Sequence, residues 1–321
     1  MPACKKIKFT MNRLWNKIIK YFTDSPQVST GFYISSHYFC GAYFSVREKR
    51  IEDYYVQTLP EGVVRPSLNE KNIVKEEILK PEFLKAIKEV NARDKDIVLI
   101  FPELSQKTFT FLFDSLPGSA QEREQIIRFR IKKKMPFLPE DVRISYDLIP
   151  KDSGVRAVAI LTRKYIVKEY EEFLGQFGLR VRTMVPPSVG LVNLLNMESE
   201  QNYLLLNVEQ DSFSLSVYTN SEFSLYRQKR FSLELGESGS IKDKMENVFQ
   251  EVESTLNFME GGEGKKDLQF LIRCGIDCSE KLLEEGCRKY SFSFDRIGSV
   301  MDVNMTLSEA EKLSPILGMV R

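Results

Sequence analysis

Histidine is the usual proton shuttle near neutral pH, and this chain has one, His37. A single imidazole gives little ground for histidine-based acid–base chemistry, so a hydrolase triad is not expected. Nor can it supply the nitrogen ligands that most metal centres use. The five cysteines, Cys4, Cys40, Cys274, Cys278 and Cys287, are an odd set without paired C-x-x-C spacing and read as free, buried thiols. No catalytic residue and no metal site are therefore expected.

The remaining residues with chemical potential are clustered cations beside aromatics. In residues 5–22, Met11, Leu14, Trp15, Ile18 and Phe22 recur at three- and four-residue spacing, and Lys5, Lys6, Lys8, Arg13, Lys17 and Lys20 fill much of the rest. That pattern predicts a basic amphipathic helix. It could lie on an anionic membrane with Trp15 at headgroup depth and Lys17 and Lys20 facing phosphates, or pack on its own lobe or on a partner. A second cluster, Arg128, Arg130, Lys132, Lys133 and Lys134, runs into Met135-Pro136-Phe137-Leu138-Pro139. Positive charge followed by an apolar turn suits an extended peptide; equally, Ile127, Phe129, Ile131 and Met135 could anchor a helix whose lysines are simply solvated.

Bulk composition narrows the classes. With 46 Lys+Arg against 45 Asp+Glu there is no polyanion-binding excess, and nucleic acid is not an expected partner. No run approaches the ~20 apolar residues of a membrane span, and the first residues lack a signal peptide's apolar core, so the expected location is the cytoplasm. A length of 321 residues suggests two lobes.

The elements that would position these residues follow from periodicity. Gly31 to Tyr43 reads as two short strands, with a third at Asp53 to Leu59. A helix is expected from Pro81, as a starting residue, to Asn91. Asp96 to Pro102 reads as a buried strand, Lys107 to Phe113 as an alternating strand, Ala120 to Lys134 as a charged helix, and Val155 to Leu161 as another buried strand. Tyr165 to Phe177 should be a helix capped at Gly178, followed by a strand at Leu179 to Val185. Strands at Tyr203 to Val208, Phe213 to Tyr218 and Phe223 to Phe231 repeat the opening meander. A helix at Ile241 to Met259, a strand at Leu268 to Ile272 and a helix at Glu280 to Tyr290 complete the pattern. The chain repeats its own plan, an α/β one.

Several strings resemble the PilM family of actin-like type IV pilus assembly proteins. They are LPEGVV at 59–64, IRFRIKKKMPFLPEDVRISYDLI at 127–149, read as a helix, VRAVAILTRKYIVKEYEEFLGQFGLRV at 155–181, PPSVGLVNLL at 186–195, FQEVESTLNFM at 249–259 and SPILGMVR at 314–321. The resemblance implies an actin-like two-lobed fold, each lobe a ribonuclease-H-like mixed sheet with helices. Residues 1–26 would be the amphipathic helix, 27–200 the first lobe with an inserted subdomain at about 101–151, and 201–321 the second. It further implies a scaffold on the cytoplasmic face of the inner membrane that binds the tail of a PilN-like membrane protein, among other pilus platform components. The tail groove would lie between first lobe and insert, with Arg128, Phe129, Pro136 and Phe137 as candidates.

The same resemblance places a nucleotide cleft, where glycine turns admit phosphates and a carboxylate holds hydrated Mg²⁺. The first turn, usually D-I-G-S-S-S, reads Phe32-Tyr33-Ile34-Ser35-Ser36-His37, without the aspartate or the glycine. The second reads Asn207-Val208-Glu209-Gln210-Asp211-Ser212-Phe213, with Glu209 where a glycine belongs. A carboxylate there repels phosphate, and its β-carbon blocks the approach. Ser35, Ser36, Asp211, Ser212, Glu251 and Gly275 are what remains of an ATP site. Ser35, Ser36 and Asp211 are also ordinary turn formers, and Glu251 could be an exposed helix charge. ATP and Mg²⁺ are thus disfavoured as cofactors and an enzyme is not expected. The alternatives are an active ATPase driving pilus or type II secretion assembly, with Asp211 or Glu209 taking the metal, and a filament-forming protein.

Overall fold

The computed structural model describes residues 28–45, 47–48, 50–151, 153–195, 201–220, 222–231, 240–259, 268–290, 293–297 and 305–320. The expected helix at 5–22, with Trp15, Lys17 and Lys20, lies outside them.

Three strands that alternate in sequence open the first lobe: β1 (Thr30–Ile34), β2 (Tyr38–Ser45) and β3 (Arg50–Thr58). They form an antiparallel meander, and β4 (Asp96–Ile100) and β8 (Arg180–Val185) extend it in parallel on the β1 side, in the order β3-β2-β1-β4-β8. Parallel additions need crossovers, and helices supply them. Helix α1 (Glu76–Glu89) precedes β4 and α3 (Lys164–Gly175) precedes β8. Because side chains alternate across a strand, Phe32 and Ile34 join Phe83 of α1 and Tyr170 and Phe173 of α3 in one core. Tyr33, between them, points to the opposite face.

The second lobe repeats this topology. Strands β9 (Asn202–Val208), β10 (Ser212–Thr219) and β11 (Glu222–Arg230) form the meander, and β12 (Leu268–Cys274) and β13 (Ser293–Arg296) add in parallel beside β9. Helices α5 (Ile241–Met259) and α6 (Ser279–Lys289) carry the crossovers, with Val248, Phe249, Val252, Leu256 and Leu282 in the second core.

A third sheet, β5-β7-β6, is built from β5 (Lys107–Phe113), β6 (Val142–Lys151) and β7 (Gly154–Arg163), and α2 (Ala120–Lys134) lies against it. Ile127 and Ile131 of α2 pack on Phe111, Phe113, Ala157 and Leu161. The other face turns to the second lobe, where Ile149 and Val158 pack against Tyr203, Tyr218 and Phe223.

Three sequence expectations change here. Pro81 lies inside α1, which starts at Glu76. The proline faces solvent, so water can serve the carbonyl its ring deprives, while Glu76 and Glu77 favour the positive helix end. The string 127–149 is a helix only to Lys134; beyond Pro136 and Pro139, Ile144, Tyr146 and Leu148 turn to the third core at strand period. The strand read at 155–161 pairs with β5 and β6, so the insert runs past the expected end at 151 to Arg163.

Two helices join the lobes: α4 (Pro187–Asn193) and α7 (Leu307–Leu317). The sequence reading assigned no helix over 307–317, where Thr306 and Glu309 form a complete capping box that starts α7. The two helices touch backbone to backbone: a β-carbon on Gly190 would lie 2.0 Å from the Pro315 carbonyl oxygen, and one on Gly318 would lie 1.7 Å from that of Gly190. Neither clash can be relieved by rotating a side chain. Gly190→Ala should therefore lower stability by about 1–3 kcal/mol, as overpacking does, measured as a reduced urea midpoint at unchanged m-value.

Candidate functional site: two lobes bridged by buried charge

Arg273 is an arginine inside an otherwise apolar strand, LQFLIRC, and it is wholly buried. A charge taken out of water needs partners for each of its donors. Arg273 Nε donates to the Glu311 carbonyl of α7 at 2.8 Å, and Nη1 donates to Asn207 Oδ1 at 2.8 Å and closely to Glu209 Oε1. Nη2 donates closely to the Tyr38 hydroxyl and to the Lys312 carbonyl at 3.4 Å. The Glu209 carboxylate, on the turn between β9 and β10, also accepts from Tyr33 at 2.7 Å and from Tyr38 at 3.3 Å. Burial above all raises the pKa of both tyrosines, so both stay protonated donors. Tyr33 and Tyr38 come from the first lobe, Glu209 and Arg273 from the second. Their network ties the β1–β2 hairpin to the β9–β10 turn and to β12.

The sequence-derived candidates fall around this network. Ser35 is buried, and its Oγ donates to the Tyr38 carbonyl at 2.9 Å and accepts from the Tyr38 amide at 3.1 Å, a local turn role. Ser36 is half-buried beside it, with His37, whose pKa is lowered by burial and then by Lys312 and Lys244. Ser212 donates to Asp211 Oδ1 at 3.1 Å, and the Asp211 pKa is raised by burial and then by Glu209. Gly275 does make a close approach, but to protein: its β-carbon would sit 2.2 Å from Glu209 Oε2. Glu251 is buried rather than exposed on its helix. It pairs with Arg227 at 2.8 Å and closely with Lys229; burial pushes its pKa up and the two cations outweigh that, leaving it lowered.

A second junction was not anticipated. Glu103, between β4 and β5, is buried, accepts from Ser188 Oγ of α4 at 2.7 Å and closely from Tyr226 of β11, and its backbone carbonyl accepts from Gln228 at 2.5 Å. Burial raises its pKa. Glu311 is buried too, with Oε1 lacking a hydrogen-bond partner among the described residues, and burial pushes its pKa up to about 7. The signal for these residues was present only as charge within apolar or helical runs.

On the third sheet, the expected peptide residues separate. Phe129 lines a shallow depression of about 440 Å³ with Pro117, Glu122, Gln125 and Ile126. Lys133 Nζ lies 4.7 Å from the Phe129 ring centre. Arg128 is half-buried on the same helix, whereas Pro136 and Phe137 are exposed beyond its end and take no part in the depression.

Two five-stranded mixed sheets of one topology, joined by crossing helices and bridged by buried side chains, define an actin-like two-lobed fold. No family model matches the sequence, and no curated protein does. Solved structures share the fold. A chain of the PilM-PilN type IV pilus biogenesis complex matches with a TM-score of 0.72 at 14% identity, over 92% of this chain and 97% of that one. A Bacteroides thetaiotaomicron protein with an actin-like ATPase fold matches at 0.55 and 10% identity, over 92% and 97%. The cytoplasmic domain of EpsL, an inner membrane component of the type II secretion system of Vibrio cholerae, matches at 0.50 and 9% identity, over 90% and 94%.

Removing Arg273 leaves Glu209 charged in a dry site. Arg273→Met should cost about 3–5 kcal/mol in chemical denaturation, and adding Glu209→Gln should recover much of the loss. A carboxyl with a raised folded pKa contributes stability below its unfolded pKa and loses it as pH rises. Stability should therefore fall from about pH 4.5 through about 7, and Glu311→Gln should flatten that slope.

Proposed function

We propose that this chain is an actin-like scaffold of a type IV pilus inner-membrane assembly platform, binding the cytoplasmic tail of a PilN-like membrane protein, with a degenerate nucleotide site. The observation that carries the reading is the Arg273–Glu209 pair, hydrogen-bonded to Tyr33 and Tyr38 between the two turns that would hold phosphates.

These residues do not fit a magnesium nucleotide. Glu209 is neutralised by Arg273 rather than open to a cation, and its carboxylate takes the space beside Gly275 that a glycine turn would leave. Glu251, another candidate residue of the ATP site, is already held by Arg227 and Lys229. An ATPase would have to break the cross-lobe network to admit its substrate, and only Asp211 would remain for metal. Among the described residues, no group of side chains is arranged to hold a metal ion.

The partner assignment draws on the likeness to a chain of the PilM-PilN complex, and the likeness to the EpsL domain supports the same kind of role in a membrane-associated assembly machine. The depression at Phe129 lies within the third sheet's subdomain rather than between it and the first lobe, and with Pro117 and Ile126 in its lining and Lys133 4.7 Å from the Phe129 ring it has the chemistry of a peptide groove. No helix of the described residues is long and apolar enough to cross a membrane. Residues 5–22 would add contact with an anionic membrane or another platform component.

Calorimetric titration separates the readings. With Mg-ATP no heat of binding is expected, and a synthetic tail peptide from a PilN-like protein should bind and should lose affinity in Phe129→Ala. Micromolar ATP binding would sink the degenerate-site reading and restore the ATPase.

A further inference from the structure

The described residue with the most exposed large apolar side chain is Phe137, at 96%. It sits in the turn between α2 and β6, flanked by Pro136. The last two turns of α2 carry Arg128, Arg130, Lys132, Lys133 and Lys134, none of which forms an ion pair among the described residues. Cations at a helix C-terminus complement its dipole, which explains a lysine or two there. That effect does not explain a fully exposed phenylalanine just beyond them. Nor does packing, since Ile127 and Ile131 already anchor α2.

We propose that this tip docks on a bilayer rich in anionic lipid, Phe137 entering the headgroup–acyl boundary and the lysines pairing with lipid phosphates. Basic side chains on the helix end that leads into an apolar tip are complementary to that interface in both charge and polarity. Pro136 and Pro139 restrict the turn beforehand, so little chain entropy is lost on insertion. Phe137 takes no part in the depression at Pro117, Glu122, Gln125, Ile126 and Phe129; Lys133, over the Phe129 ring, is the cation the two surfaces share, and the docking does not depend on the tail-binding reading.

The test uses the full chain with Trp15→Phe and Phe137→Trp, which moves the single tryptophan to the tip, and vesicles of phosphatidylglycerol with phosphatidylcholine. Position 137 is exposed, so the substitution leaves the core intact. The expected result is a blue-shifted emission with anionic vesicles, quenched by brominated lipid, weaker with phosphatidylcholine alone and lost at high salt. In a parallel flotation assay, Lys132→Glu with Lys133→Glu and Lys134→Glu should reduce partitioning of the otherwise native chain about tenfold or more. Unchanged emission with vesicles, or unchanged partitioning of the triple variant, would overturn the proposal and leave residues 5–22 as the membrane contact. Emission that responds to a tail peptide and not to vesicles would also overturn it, making the tip a peptide surface.

Discussion

A guanidinium and a carboxylate buried together between two lobes constrain everything around them. The desolvation of both ions is repaid only if each donor and lone pair has a partner in good geometry. Here those partners come from both sheets and from α7: Tyr33 and Tyr38 from the first lobe, Asn207 and Glu209 from the second, and the Glu311 and Lys312 carbonyls from the joining helix. No single lobe could satisfy Arg273. The network therefore selects one relative placement of the two lobes, and any opening would expose an ion pair that was costly to bury.

The helix crossing and the second junction reinforce that placement by different physics. At the crossing of α4 and α7 the constraint is steric, because Gly190 and Gly318 allow contact that no side chain would permit. At Glu103 it is again polar: Ser188 of α4 and Tyr226 of β11 meet a buried carboxylate of the first lobe. The third sheet adds an apolar seam, with Ile149 and Val158 against Tyr203 and Phe223. Buried polar contacts, backbone contact and hydrophobic packing thus act at separate places on one interface.

Much of the fold was legible because the signals were local. The alternation of Phe32, Tyr33 and Ile34, the apolar run DIVLI and the left-handed Gly178 after α3 each report on a few neighbouring residues, and the structure follows them. The repeated meander, read twice in the sequence, is the duplicated sheet topology. Errors arose where a local signal had two meanings. Pro81 can start a helix or sit on its exposed side. The strand at 154–163 was correctly seen as a strand, but which sheet it joins is a question of pairing that its own residues do not answer.

The candidate site divides along the same line. By itself the sequence determined the residue content of the turns: Tyr33 and Ile34 before Ser35, Glu209 between Val208 and Gln210, and cations gathered before Pro136 and Phe137. Those facts depend only on residue identity and order. Only the tertiary structure decided what Glu209 does, because its partners stand 176 residues away at Tyr33 and 64 away at Arg273. It also decided that Glu251 is buried and paired, and that Phe129 and Phe137 belong to different surfaces. Burial and charge pairing are properties of distance in space, and a sequence orders its residues along a chain without fixing which distant ones will share a dry interior.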